Sequence, residues 1–247
     1  STDKTKEIIK EFNNSNIKLI DYKWEDDFSK ARNVSIEAAT GDWILMLDAD
    51  EKLLCDSLRL REILENSELE AYRIPFYNIM STSMILYSAV YVKFFRNNKG
   101  YKYSGRIHEQ LNLTYDMQVG DNIIDENVCK IIHYGYLISE VQARNKSERN
   151  LKILKKQLKT EPNNPFVYYN IGASYEIAGN YEEALKNFFK CNELATKENP
   201  TGLTLYEIDM ARRIGECLVK LEKYDECIEV LSNLLYDKLY SGFVDLE

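Results

Sequence analysis

The sequence predicts an α/β domain followed by an all-α domain, and three observations carry the prediction. A continuous apolar run, Trp43 to Leu47 (WILML), leads straight into Asp48-Ala49-Asp50-Glu51, as expected of a buried strand that delivers acidic side chains at its carboxyl end. Strand-like stretches recur at Ala71–Tyr77, Val90–Arg96 and Cys129–Tyr134, so alternating strands and helices give way to a strand-rich part. After about Ser139 the strand patterns fade, and helical periodicity dominates as far as Leu235. The boundary is expected near residues 138–145, with 1–140 forming the first domain and 141–247 the second.

Taken in order, Thr2 or Asp3 is placed to cap a helix running to about Phe12, with Ile8, Ile9 and Phe12 on its apolar face. Ile17 to Tyr22 reads as a short strand. Trp24 to Ser29 is a polar loop with adjacent carboxylates, Asp26 and Asp27. A second helix is expected from about Ser29 to Thr40, lined on one side by Phe28, Ala31, Val34 and Ala38 and ended by Gly41. Leu58 to Leu64 reads as a third helix. In the second half, Pro162 and Pro165 mark a helix–helix junction.

Composition narrows the function classes. At 45% hydrophobic and 29% charged over 247 residues the chain is globular, and each half is long enough to bury a core. A net charge of −8 argues against a duplex nucleic-acid binder, which needs a basic stripe. No apolar run approaches the ~20 residues of a membrane span, and Ser1 to Lys10 is too polar to read as a signal peptide. The five cysteines form no CxxC pair, which disfavours structural zinc and a disulfide framework. Reduced thiols in a cytoplasmic protein are the expectation. No GxxxxGK[ST] loop or glycine-rich phosphate fingerprint occurs among the ten glycines, so a phosphotransferase or pyrophosphorylase is disfavoured.

The sharpest chemical signal is the pair Asp48 and Asp50. Carboxylates two residues apart on an extended segment point to the same side. They suit a hard divalent cation, Mg²⁺ or Mn²⁺, which favours oxygen ligands and bridges phosphates. A diphosphate leaving group needs that neutralisation as its bond to a sugar breaks. A DxD by itself also occurs in solvated turns; its context here decides.

That context is the stretch WEDDFSKARNVSIEAATGDWILMLDADE, Trp24 to Glu51. It resembles the nucleotide-sugar half of family-2 glycosyltransferases of the GT-A type. More narrowly it looks like a bacterial subgroup that joins this domain to C-terminal tetratricopeptide (TPR) repeats. The resemblance covers about the first 140 residues. In the second half, Tyr168, Ile171, Gly172, Tyr175, Gly179, Tyr181, Ala184 and Phe188 fall at TPR spacing, with Gly172 as the close contact between two antiparallel helices and Gly179 in their turn. Ile214, Gly215, Leu218, Tyr224, Cys227 and Leu231 repeat those offsets 43 positions later. The usual period is ~34, so an insertion is expected around Thr196 to Thr204. Lys146 to Pro162 looks like the second helix of an earlier unit.

The resemblance implies roles for particular residues. Asp50 would be the direct metal ligand, and Asp48 would bind the ribose or assist at the metal. Arg32 and Asn33 would lie near the nucleotide, with Arg32 offering a rigid donor fork to base or phosphate. Asp27 is either a nucleotide-side residue or the cap of the second helix. In Arg106-Ile107-His108-Glu109-Gln110, Glu109 is the candidate base that would take the acceptor proton in an inverting transfer, or else a carboxylate paired with Arg106; His108 reads as structural. His133, in Ile132-His133-Tyr134-Gly135-Tyr136, is either a further metal ligand or a core histidine.

The opening STDKTKEIIKEF resembles the segment after that family's second strand, which implies an N-terminally truncated domain lacking its first strand. Weakened nucleotide binding would follow, along with pairing between chains at the open sheet edge or a homodimer through the TPR half. The reading is a metal-dependent transfer of a sugar from a nucleotide-diphosphate donor, UDP-sugar first, to a peptide, protein or glycan acceptor. Its rival is a catalytically inactive fragment whose TPR half binds a protein partner. The intact set Asp48, Asp50, Glu109 and His133 favours the enzyme.

Overall fold

The computed structural model of the chain describes residues 3–12, 14–81, 84–114, 117, 120–135, 140–198 and 205–240. Asp3 accepts hydrogen bonds from the backbone N–H and the hydroxyl of Thr5 where helix α1 (Thr5–Glu11) begins; Thr2 lies outside the described residues. Helix α1 buries none of its residues, and Ile8 and Phe12 are exposed. The strand predicted for Ile17 to Tyr22 does not form. Its Ile17, Leu19 and Ile20 are exposed, and Asp21 pairs with Lys6 of α1. A strand needs a neighbouring backbone to complete its hydrogen bonds, and no strand among the described residues pairs with this segment.

Asp27 opens helix α2 (Phe28–Ala38), accepting from the backbone N–H of Lys30 at 3.1 Å and from the Ser29 hydroxyl at 2.7 Å. Strand β1 (Trp43–Leu45) is shorter than predicted and is not buried on both faces. Only Ile44 is buried, because among the described residues β1 stands at the sheet edge and pairs with one neighbour. Strand β2 (Glu51–Cys55) starts directly after the Asp48–Asp50 turn, in a stretch without a strand-like pattern. Asp56 then caps helix α3 (Ser57–Glu65). Strands β3 (Ala71–Ser81) and β4 (Met84–Arg96) form a long antiparallel pair. Strands β5 (Tyr103–Ser104) and β6 (Gln110–Leu111) make a small ladder of their own. Strand β7 (Cys129–His133) completes the five-stranded sheet.

The order in that sheet is β1-β4-β3-β7-β2. β3 and β7 run parallel and the other neighbours antiparallel. Alternation along β4 sends successive side chains to opposite faces. Phe94 packs with Leu60, Ile74, Phe76 and Ile131, and Phe95 with Ile44, Ala71 and Leu111. The register also places Glu51 opposite His133 across β2–β7, and His133 beside Asn78 across β7–β3. Residues distant in sequence are thereby brought to the end of β1.

From Glu140 onward the described chain is helical: α4 (Glu140–Leu158), α5 (Pro165–Ile177), α6 (Tyr181–Glu198), α7 (Leu205–Lys220) and α8 (Tyr224–Tyr240). Residues 136–139, including part of the expected boundary, and 199–204, most of the expected insertion, lie outside the described residues. Asn164 caps α5, and Pro165 occupies its first turn. A Cβ on Gly172 would stand 2.6 Å from the Phe188 ring, so only glycine admits this approach of α5 and α6. Gly179 has φ +78° in the turn between them. Gly215 faces Leu231 one repeat later, more loosely: a Cβ there would stand 3.0 Å from the end of the Leu231 side chain.

The helices are docked on the sheet half. Phe28 and Ile107 pack with Ile153, Leu154, Val167 and Ile171. The Gln157 Oε1 accepts from the backbone N–H of Arg106 at 3.0 Å, and Lys156 pairs with Asp26. Among the described residues, no helix is long and apolar enough to cross a membrane.

Candidate active site

A cleft of about 550 Å³ opens beside the carboxyl end of β1. Its polar wall includes Arg32, Asp48, Glu51, Lys93, Glu109 and His133, and Met46, Val92 and Leu111 supply an apolar floor. The position agrees with the rule that open α/β sheets bind ligands beyond the carboxyl ends of their strands.

Arg32 is the hub. From the second turn of α2 its guanidinium grips both oxygens of Asp48, at 2.8 and 3.0 Å, and its Nε donates to Glu109. The Tyr103 ring lies over it at 5.4 Å. Burial alone would weaken the guanidinium's charge, but the Asp48 and Glu109 carboxylates more than offset it, and Arg32 is held more firmly protonated than usual. Burial likewise works against the Asp48 carboxylate. The Arg32 hydrogen bonds and charge, followed by the charge of Lys93, outweigh it and hold Asp48 below the usual carboxylate range. Burial pushes the Tyr103 phenol up to about 12, so it stays a neutral wall.

The turn itself is braced from below. The Glu51 side chain, 4% exposed, accepts from the backbone N–H of Asp48 at 3.0 Å and takes both carboxylate oxygens to Lys93, at 2.7 and 2.8 Å. The Asp50 side chain is half exposed, and its Oδ2 lies 3.4 Å from the Nε2 of His133. Behind that ring, Nδ1 meets the Oδ1 of Asn78 at 2.7 Å. A Cβ on Gly135 would fall 2.3 Å from His133 Nε2 and 2.6 Å from Asp50 Oδ2, so the backbone leaves open the space these two atoms face.

Glu109 sits on the loop before β6, its side chain 10% exposed. The loop is bent sharply, with Gly105 at φ +88° and His108 at φ +53°. A positive φ at a non-glycine residue costs energy and tends to be kept where a site needs it. Packing of Ile107 into the helical half and the Gln157 bond to Arg106 hold this loop from outside.

The sequence-derived residues therefore divide. Arg32, Asp48, Asp50, Glu109 and His133 converge, but Glu109 pairs with Arg32, whereas Arg106 stands 3.7 Å from Asp27. Asp27 is buried and engaged as the helix cap. Asn33 exchanges two hydrogen bonds with the backbone of Tyr103, tying α2 to β5. Both side chains are used by the fold. Among the described residues, no three His, Cys, Asp or Glu side chains are gathered closely enough to hold a metal by themselves. Asp48 is turned to Arg32, which leaves Asp50 and His133 as the facing pair.

Four residues were missed: Glu51, Lys93, Asn78 and Tyr103. A signal existed for three of them. Lys93 and Asn78 are polar residues interrupting apolar strands, and Glu51 extends the acidic run into a strand. A buried polar side chain in a strand has to find a partner.

Comparison with known proteins bears on this site. Residues 1–120 match the model of the family described as glycosyl transferase family 2. The SPbeta prophage-derived glycosyltransferase SunS of Bacillus subtilis (strain 168) is 33% identical over 232 residues, covering 83% of this chain and 53% of the relative. A TPR repeat-containing protein of Synechococcus elongatus is 32% identical over 242 residues, covering 93% of this chain and 57% of the relative. The chain spans about half the length of the curated relatives it matches.

Proposed function

We propose, from the match of residues 1–120 to the model of glycosyl transferase family 2, that the chain is a metal-dependent, inverting glycosyltransferase. It would move a sugar from a nucleotide-diphosphate donor, UDP-sugar first, to a peptide, protein or glycan acceptor. One observation carries the reading: a single guanidinium, that of Arg32, joins Asp48 of the acidic turn to Glu109 of the distant loop. Donor-side and acceptor-side carboxylates thus share one cleft.

The division of labour follows from the geometry. Asp50 and His133 would hold a Mg²⁺ or Mn²⁺ ion, since a carboxylate oxygen and an imidazole nitrogen approach to 3.4 Å beside a glycine, Gly135. Donor phosphate oxygens and water would complete the shell. When bound, the ion supplies positive charge to the departing diphosphate. Asp48 would meet the ribose, and Arg32 the phosphates. Glu109 takes the proton as the acceptor heteroatom attacks the anomeric carbon from the face opposite the diphosphate. The new bond forms as the old C–O bond breaks, the electron pair leaves with the nucleoside diphosphate, and the anomeric configuration inverts. The helical half buttresses the Glu109 loop and provides a surface for the acceptor.

Calorimetric titration of UDP with and without Mn²⁺ tests the donor site, with Asp50→Asn as control. Manganese-dependent binding that disappears in the variant is expected. UDP binding indifferent to both the metal and the substitution would remove the metal from the reading.

A further inference from the structure

The histidine at this site is held from behind by a residue to which nothing so far gives a role. Asn78 lies on β3, 7% exposed, in parallel register with His133 of β7. Its Oδ1 is 2.7 Å from His133 Nδ1, and the Phe76 ring packs on the imidazole at 5.3 Å between centroids. With the Asn78 amide oxygen turned to the ring, that oxygen accepts, so in this arrangement Nδ1 carries the proton and donates it. The neutral ring then presents a lone pair at Nε2. That atom looks across 3.4 Å at Oδ2 of Asp50. Two acceptors at that separation repel each other unless a proton or a metal cation lies between them, and glycine at position 135 avoids the Cβ that would collide with both.

We propose that Asn78 is a positioning residue that fixes the His133 tautomer, aiming the Nε2 lone pair at the space it shares with Asp50 so that the two can take a hard divalent cation. The inference rests on the metal reading above and adds the residue that prepares the ligand. The free imidazole ring does not enforce this tautomer by itself; it is set by the hydrogen bond at the other nitrogen. The register explains why an asparagine at this buried strand position can do so. The parallel pairing of β3 with β7 puts residues 78 and 133 side by side on one face of the sheet, within hydrogen-bond reach of each other.

The test uses the full chain, ¹⁵N-labelled and metal-free, at a pH where imidazole is neutral. Long-range proton–nitrogen correlations report which ring nitrogen is protonated, and with only two histidines in the chain, His108→Gln assigns the signals. The expected result is a His133 ring protonated at Nδ1 in the wild type and shifted toward Nε2 protonation in Asn78→Leu. Mn²⁺ affinity, read by water-proton relaxation, should fall on the order of 10–100-fold in Asn78→Leu. Asn78→Asp, which still accepts from Nδ1, should keep it. Wild-type His133 protonated at Nε2, or Asn78→Leu binding Mn²⁺ as well as wild type, overturns the proposal while leaving the metal site standing. Wild-type chain that binds no Mn²⁺ removes the metal site itself, and the purpose assigned to Asn78 falls with it.

Discussion

Replacing Arg32 with methionine removes one guanidinium and leaves two carboxylates facing it. Methionine keeps most of the aliphatic stem but not the guanidinium that lies against the Tyr103 ring, so the loss is mostly electrostatic. Arg32 makes two charge-assisted bonds to Asp48 and one to Glu109. Such bonds are worth about 1.5–3 kcal/mol each when sheltered. The Glu109 side chain, 10% exposed, is near that limit. The Asp48 side chain, 40% exposed, is not, and its share is reduced to about 0–1 kcal/mol by solvent screening. Arg32→Met should therefore lose about 1.5–4 kcal/mol of unfolding free energy at pH 7 in urea titrations.

The pH dependence separates charge from packing. The folded Asp48 carboxyl lies below its ordinary range, so its contribution is fully present above the unfolded value near 3.8 and is lost as pH falls through the folded one. Arg32→Met lacks that contribution at every pH. The Asp48 share of the gap between wild type and variant, about 0–1 kcal/mol, should then shrink as the pH is lowered below about 4. A gap under about 0.5 kcal/mol at neutral pH lies within the range of ordinary surface substitutions and would refute the hub. A gap that stays constant into acid would remove the Asp48 share of it.

Three further outcomes follow from the same geometry. Gly172→Ala should destabilise by up to about 2 kcal/mol, overpacking of about 1–3 against Phe188 being partly offset by about 1 from helix propensity. Gly215→Ala, whose Cβ would meet only the movable end of Leu231 at 3.0 Å, should be neutral or stabilising, and calorimetric melting temperatures in the reverse order would contradict the packing. Lys93→Met strands the buried Glu51 carboxylate and should cost about 3–5 kcal/mol; the double variant with Glu51→Gln should recover part of that in urea denaturation, and no recovery would argue against the pair. Gln157→Leu orphans the Arg106 N–H, a loss of about 1–3 kcal/mol, and should speed hydrogen exchange at Arg106, whereas unchanged exchange would mean that the helices do not brace the Glu109 loop.

The parts of the molecule that could be read from the sequence are those whose partners lie close along the chain. The Gly172 and Phe188 contact is made within one helical hairpin, and a helix period fixes which residues face each other, so spacing sufficed. The acidic turn was legible because a strand and its terminal carboxylates are consecutive. Sheet neighbours are different. The order β1-β4-β3-β7-β2 pairs β2 with a strand that comes more than seventy residues later, and nothing in EKLLC announces that partner. The same gap explains the two strand errors. Ile17 to Tyr22 has the composition of a strand, but composition supplies no neighbour to pair with. Trp43 to Leu47 has the apolar content of a central strand, yet the described sheet leaves β1 at its edge.

The site shows why residue types were easier to identify than roles. Arg32, Asp48 and Glu109 were each picked out, but their mutual pairing spans 77 positions and depends on α2 lying against the β5–β6 ladder. That packing is set by Asn33, whose side chain bonds the Tyr103 backbone and so fixes the height of the adjacent Arg32. One neighbour in sequence aims the other. Had Asn33 bound a nucleotide instead, α2 would lose its tie to β5 and Arg32 its position between two carboxylates. A side chain engaged in the scaffold can thus matter to the chemistry without touching a ligand, and Asn33→Ala should disturb Arg32 before it disturbs anything bound.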